Sequence, residues 1–110
     1  MKGIFYEKVR TETLLGSELN WAVKKAHKDN PPMWSPFIPS TNWAQGGHII
    51  EREFISLEFA EDRWRAEMLA PNLLEGYACA EGPTPLIAAM RCFARARLGS
   101  SVKLKSCQEV

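Results

Sequence analysis

Histidine and cysteine are the residues of this chain whose side chains could act directly on a substrate. His48 could serve as a general base with Cys79 as the nucleophile, since a base beside a thiol is the usual arrangement in nucleophilic catalysis. His27 and His48 could instead share a metal ion with a nearby glutamate, but their spacing matches no established set of zinc ligands. Nothing in the spacing brings these side chains together. We therefore predict no catalytic residue, no metal site and no cofactor.

Two adjacent glycines, Gly46 and Gly47, could receive a phosphate group on their backbone N–H groups if they lie near a helix start. The pair lacks the longer glycine pattern and the lysine of a phosphate-binding loop. Close packing of another segment is the more common reason for such glycines, and we favour it. The alternative is that the protein sequesters a small, nucleotide-like ligand, held by Gly46, Gly47, Arg52 and Arg91.

Basic residues near the C-terminus could contact the backbone of a nucleic acid, namely Arg95, Arg97, Lys103 and Lys105. Tryptophans could then stack on unpaired bases, as they do in proteins that bind single strands. However, the formal net charge of the 110 residues is only +1, whereas nucleic-acid-binding domains are usually clearly basic. We expect a solvated helix face that pairs with acidic residues, and we keep single-stranded nucleic acid as a further alternative.

The small net charge hides a segregation along the chain. Residues 1–30 have a net charge of +2, residues 31–82 of −5 and residues 83–110 of +4. The basic ends could pair with the acidic middle within one fold, or they could drive self-association. Because the chain also has many apolar side chains for so small a core, we expect a homo-oligomer.

Four tryptophans are many for a chain of this length. Trp43 and Trp64 fall on core-facing positions of their predicted elements. Trp21 projects from a lysine-rich helix face, where it could form a cation–π pair or be covered by the proline-rich loop. Exposed tryptophan is enriched at interface hot spots. This predicts a surface that binds another protein, formed by Trp21, Met33, Trp34 and Phe37.

Hydrophobic periodicity predicts two helices in the first half of the chain. The first begins with Ser17 as its N-cap, and its buried positions are Leu19, Ala22, Val23 and Ala26. Residues 31–39 contain four prolines and therefore form an extended loop. The second helix follows Asn42, and its apolar stripe consists of Trp43, Gly47, Ile50 and Phe54. If this helix instead begins after the glycine pair, the cost of glycine inside a helix is avoided.

Alternating residues predict a short strand at 4–10, a hairpin at 55–60 and 64–69, and a third sheet strand at 77–81. A third helix follows Thr84, with Pro85 at its first position and Gly99 as its end. The predicted fold class is α+β, a small antiparallel sheet of about three strands packed with three helices in an α-β-α sandwich-like arrangement. We expect one domain over residues 1–99 and a basic tail over 100–110.

Other features narrow the class of protein. No apolar run approaches the ~20 residues that a membrane span needs, and the N-terminus does not resemble a secretory signal. We therefore expect a cytoplasmic protein without a membrane partner. Three cysteines at wide spacing suggest no disulfide framework, and we expect them to be free, buried thiols.

Four blocks of the sequence resemble the NinX-like proteins of tailed phages: NWAV at 20–23, STNWAQGG at 40–47, IIERE at 49–53 and GPTPLIAAMRCF at 82–93. The resemblance covers roughly residues 15–99 and implies a phage origin and an α-β-α sandwich, but no established activity. Members typically have aspartate at the position of Asn42 and proline at that of His48. From the resemblance and the tryptophans together, we predict a phage-encoded, non-enzymatic accessory protein. It would bind a host or defence protein in the cytoplasm of the infected cell.

Overall fold

The structure is a computed structural model that describes residues 2–28 and 32–109, with side chains described for residues 7–28 and 32–104. Its elements are β1 (Lys2–Arg10), a 3-10 turn (Thr11–Thr13), α1 (Gly16–Ala26), α2 (Trp43–Arg52), β2 (Ser56–Ala60), β3 (Arg63–Leu69), β4 (Tyr77–Gly82), α3 (Pro85–Leu98) and β5 (Ser101–Glu109). The predicted α+β class with three helices is confirmed.

Helix α3 is buried on almost its whole surface and lies at the centre of the fold. Its buried side chains are Leu86, Ala88, Ala89, Met90, Cys92, Phe93, Ala94 and Ala96. It packs against β3 and β4 and also against α1, α2 and the 3-10 turn, which places it between the sheet and the other helices. Its predicted ends are confirmed, because the Thr84 hydroxyl accepts from the N–H of Ile87 at 3.1 Å and Gly99 ends the helix with a φ of +90°.

Strands β2, β3 and β4 form the predicted three-stranded antiparallel sheet, and their order in it is β2-β3-β4. Alternate residues of β3 and β4, such as Ala66 and Ala80, are paired across the strands and face α3. The residues between them, such as Arg65 and Glu67, lie on the opposite face and are exposed. The sheet is therefore covered by helix on one face, which differs from a sandwich with helices on both faces.

The predicted tail at 100–110 is instead the strand β5, which pairs with β1 over its whole length. Val102 and Leu104 alternate with lysines, and both apolar side chains pack against the core. The base of this two-stranded ribbon is held by Thr11, whose N–H donates to Ser100 O at 3.0 Å and whose hydroxyl donates to Gly99 O at 2.7 Å.

Two details of the first helices differ from the prediction. Helix α1 begins two residues earlier than expected, with Leu15 rather than Ser17 at the N-cap position, although its predicted buried positions are confirmed. In α2, Asn42 caps the helix by accepting from the N–H of Gln45 at 3.1 Å. The buried face of α2 contains Gln45, Gly46 and Ile49, so the predicted stripe is wrong and Trp43 is 57% exposed. Trp64 is half-buried against the core.

Candidate functional site

The described part of the proline-rich loop is held by side chains of α1 and α2. Gln45 is buried although it is polar, because its amide bonds two backbone groups of the loop. The N–H of Ile38 donates to Gln45 Oε1 at 2.7 Å, and Gln45 Nε2 donates to Pro36 O at 2.9 Å. From α1, Asn20 Oδ1 accepts from the N–H of Ser40 at 3.0 Å. The loop therefore has a fixed position over both helices.

Two of the four residues predicted to bind a partner pack largely against the protein itself. Trp34 stacks on Phe37 with a ring-centroid distance of 6.0 Å, and its ring meets that of His48 edge-on at 5.6 Å. Both Trp34 and Phe37 are half-buried against the core. Met33 is 97% exposed. Pro31, where the predicted loop begins, lies outside the described residues.

Trp21 remains 41% exposed beside the loop. Lys25 Nζ lies 5.2 Å from the centroid of the indole, so the predicted cation–π pair is confirmed. A depression of about 250 Å³ separates α1 from the loop, and it is lined by Ser17, Asn20, Trp21, Lys24, Phe37 and Ile38. We call it the Trp21 hollow. A second depression of about 210 Å³ lies on the side of Trp21 toward Leu104. The structure thus brings together Trp21 and Phe37 of the predicted set.

The glycine pair lies inside α2 and is explained by packing. A Cβ on Gly46 would lie 2.4 Å from Pro39 O and 2.5 Å from Leu86 Cδ2, so only glycine fits there. The N–H of Gly46 donates within the helix to Asn42 O at 2.8 Å and is not free to bind an anion. Gly47 has ordinary space around it.

The structure also separates the other residues of the predicted ligand set. Arg52 lies at the end of α2, where its Nη2 donates to His27 Nε2 at 2.8 Å and its Nε donates to Glu53 at 2.8 Å. Arg97 bonds the same Glu53 at 2.9 Å, and its guanidinium lies 5.0 Å from the ring centroid of Phe93. This cluster joins the ends of α1 and α2 to α3. Burial lowers the pKa of His27, and the two arginines lower it further.

Arg91 and Arg95 of α3 extend to the free edge of β4 rather than forming a solvated face as expected. Arg91 donates from Nε to Leu14 O at 2.9 Å and from Nη1 to Glu81 O at 2.8 Å. Arg95 Nη1 donates to Cys79 O at 3.0 Å. Cys79 O and Glu81 O belong to β4, which pairs only with β3 among the described strands, so the arginines bond carbonyls of an edge strand.

A large depression, about 710 Å³, lies beside this edge, and four of its lining residues are Arg63, Arg65, Arg91 and Arg95. We call it the arginine cleft. The sequence did not indicate Arg63 and Arg65 as site residues, although their alternation on β3 places both on one face. Arg63 pairs with Glu81 at 3.1 Å. Arg65 Nη2 donates to the Cys79 sulfur at 3.4 Å, a bond that raises the pKa of the Arg65 guanidinium.

The model of the family described as Bacteriophage P22, NinX matches residues 29–97. The chain belongs to this family. The resemblance stated from the sequence blocks is thereby confirmed. A comparison with curated proteins finds no match. The NinX match spans the loop, α2, the three-stranded sheet and most of α3, and hence the whole set of four cleft arginines, whereas Trp21 precedes it.

The residues proposed for nucleic acid do not form one basic surface in this NinX-family chain. Arg95 faces the edge of β4, and Arg97 is paired with Glu53. Lys103 is exposed on β5, opposite Lys8 of β1. Lys105 continues β5, but its side chain lies outside the described residues. Within the described ranges, no helix is long and apolar enough to cross a membrane.

The residues considered for catalysis lie in separate environments. His48 contacts Trp34, whereas Cys79 on β4 lies between Arg65 and Glu67 and donates to Glu67 Oε2 at 3.3 Å. Cys92 is a buried thiol, as expected, and burial raises its pKa to about 12. Cys79 is half-exposed instead. In the part of the chain that the structure describes, no group of three histidine, cysteine or acidic residues is arranged to hold a metal ion.

Proposed function

We propose that this member of the NinX family is a non-enzymatic accessory protein that binds another protein of the infected host cell, such as a defence protein, in the cytoplasm. The binding surface is the Trp21 hollow together with the exposed Met33. The observation that supports it is the position of Trp21, which is 41% exposed and lines a depression together with Phe37 and Ile38 of the loop. Tryptophan in such a position is typical of an interface hot spot.

The shape of the hollow favours a protein partner. At about 250 Å³ it is smaller than the ~300–1,000 Å³ of common small-molecule sites, but it can receive a side chain of a partner. Its loop wall is held by the bonds from Asn20 and Gln45, so little conformational freedom is lost on binding. The apolar lining residues Trp21, Phe37 and Ile38 suit insertion of one apolar side chain.

The charges around the hollow specify the partner further. Lys24 lines it, and Lys25 lies over the indole of Trp21. Both lysines are exposed on α1. A partner surface that places acidic residues around its inserted apolar side chain is complementary to this arrangement.

The matched pair Trp21→Ala and Trp43→Ala tests this proposal, because both indoles are exposed but only Trp21 lines the hollow. We expect tagged wild-type chain and Trp43→Ala to recover the same host protein from infected cells, and Trp21→Ala to lose it.

A photo-crosslinking residue at Ser17, beside the indole, should label that protein, whereas the same probe at the exposed Glu51 should not. Equal recovery by Trp21→Ala, or equal labelling from both positions, would refute the assignment.

We infer in addition that the chain self-associates through the Leu69–Tyr77 end of the open face of the sheet, at the opposite end of β3 from Arg63 of the arginine cleft. Leu69, which is 79% exposed, is paired with the exposed Tyr77, and Leu74 is exposed nearby in the following turn. The same face has charges of both signs, which suits a two-fold contact between identical surfaces. Light scattering should show a dimer that Leu69→Lys converts to a monomer, while Phe54→Lys, exposed elsewhere, leaves it intact. A monomeric wild-type chain would contradict this inference.

A further inference from the structure

The arginine cleft has the size and construction of a small-molecule site. Its volume of about 710 Å³ lies within the ~300–1,000 Å³ of typical ligand sites. Its walls come from the 3-10 turn, the start of β3, the edge of β4 and helix α3, which are distant in sequence. It shares no lining residue with the Trp21 hollow. The cleft is therefore a second surface, formed only by the folded chain.

Two of its arginines are held in place before any ligand binds. Arg91 and Arg95 lie one helical turn apart on the same side of α3. Of the five N–H donors in each guanidinium, Arg91 uses two on backbone carbonyls and Arg95 uses one. The remaining N–H donors of both guanidinium groups make none of these three hydrogen bonds. The three hydrogen bonds to backbone carbonyls fix the orientation of the two planar groups.

The charge in the cleft is only partly neutralised by the protein. Among its acidic lining residues, Glu81 pairs with Arg63, and Glu12 pairs with Arg10 outside the cleft. Within the described residues, the hydrogen bonds of Arg91 and Arg95 go to uncharged carbonyl oxygens. Placing a guanidinium in a partly buried site without a counter-charge is unfavourable. Burial accordingly lowers the pKa of Arg91. An anion in the cleft would supply the missing charge.

A phosphate group matches this arrangement better than a single carboxylate. Guanidinium groups bind phosphate oxygens in a bidentate manner, and a phosphate presents oxygens to more than one arginine at a time. Arg65 enters the cleft from β3, where its Nη2 donates to the Cys79 sulfur. It can therefore add a third cationic contact to those of Arg91 and Arg95.

We propose that the arginine cleft binds a small molecule bearing a phosphate group, with Arg91 and Arg95 as its main ligands and Arg65 as a further contact. Of the ligand set considered as an alternative from the sequence, this site contains Arg91 but not Gly46, Gly47 or Arg52. The acidic residues Glu12 and Asp62 also line the cleft and favour a compact anion that does not extend over them.

Calorimetric titration with pyrophosphate at constant ionic strength tests the proposal. We expect saturable binding to the wild-type chain and at least about tenfold weaker binding to Arg95→Gln, the effect of losing a hydrogen-bonding cation. Arg52→Gln is the matched control, because Arg52 ends α2, a helix that contributes no residue to the cleft. Absence of saturable binding to wild type, or equal weakening in both variants, would overturn the proposal.

A second measurement needs no variant and is independent of folding defects. Cys79 lines the cleft, whereas Cys92 is buried. Pyrophosphate should slow the alkylation of Cys79 by uncharged iodoacetamide at least about tenfold when it saturates the site, compared with chloride at equal ionic strength. Cys92 should stay unreactive throughout and thus report any unfolding. An unchanged rate at Cys79 would refute the site, and equal protection by succinate would refute its preference for phosphate.

Discussion

The N–H of Ile38 donates to the side-chain oxygen of Gln45 at 2.7 Å, and this bond connects the proline-rich loop to α2. The same amide donates to Pro36 O at 2.9 Å. One polar side chain thus satisfies two backbone groups of a segment that has no regular secondary structure. The loop in turn forms one wall of the Trp21 hollow, so the geometry of the proposed interface depends on Gln45.

Replacing Gln45 by alanine should destabilise the protein and loosen the loop. Two backbone groups would lose their partners, at a cost of about 1–3 kcal/mol for each that stays buried. We expect a loss of about 2–4 kcal/mol in the free energy of unfolding, measured by urea denaturation. Glu51→Ala, on the exposed side of the same helix, is the control and should change stability by less than about 0.5 kcal/mol. Equal losses in both variants would contradict this role of Gln45.

The two adjacent glycines should respond in opposite directions to alanine. Gly46→Ala places a Cβ within 2.5 Å of both Pro39 O and Leu86 Cδ2, so the gain in helix propensity is exceeded by a packing cost of about 1–3 kcal/mol. Gly47→Ala meets only the Trp43 ring, at 3.6 Å, and should stabilise the helix by about 0.5–1 kcal/mol. Thermal unfolding of both variants provides the measurement. A stabilising Gly46→Ala would show that the loop does not lie against α2.

The parts of the fold that were predicted correctly have signals close together in the sequence. Thr84, Pro85 and Gly99 mark the ends of α3 by themselves, and the alternation in β2 and β3 is complete within each strand. The strand β5 was missed because its partner β1 lies at the other end of the chain. Only the fold shows that Val102 and Leu104, on either side of Lys103, face the core.

The buried face of α2 and the arginine cleft were missed for a similar reason. Hydrophobic periodicity cannot assign a glutamine to the core, since Gln45 is buried only because loop carbonyl and N–H groups lie opposite it. Once Gln45 faces inward, Trp43 is directed toward solvent. Likewise, the sequence alone predicts that Arg91 and Arg95 form a solvated helix face. Their acceptors at the edge of β4 are backbone carbonyls, which every residue has, so no residue type in the sequence indicates these bonds.

The buried thiol of Cys92 should make stability fall at high pH. Its pKa is raised from 9.0 to about 12 in the folded chain, so the unfolded chain loses this proton first as the pH rises. The stabilisation is fully present below pH 9 and declines between about pH 9 and 12, by up to about 1.4 kcal/mol per pH unit. Urea denaturation across this range should show a shallower decline in Cys92→Ala than in wild type. Parallel curves would mean that Cys92 ionises equally in both states.

His27 should produce a second pH dependence, with the opposite sign. Its Nδ1 donates to Val23 O at 2.8 Å and its Nε2 accepts from Arg52, so the folded chain holds the neutral ring. Its pKa is lowered from 6.5, chiefly by burial, which means that the unfolded chain binds the proton more readily. Stability should therefore be complete above pH 7 and decrease as the pH falls through about 6.5. Unfolding measured at pH 5.5 and 7.5 should show this decrease in wild type and in His48→Gln but not in His27→Gln. A decrease of the same size in His27→Gln would assign the proton to another group.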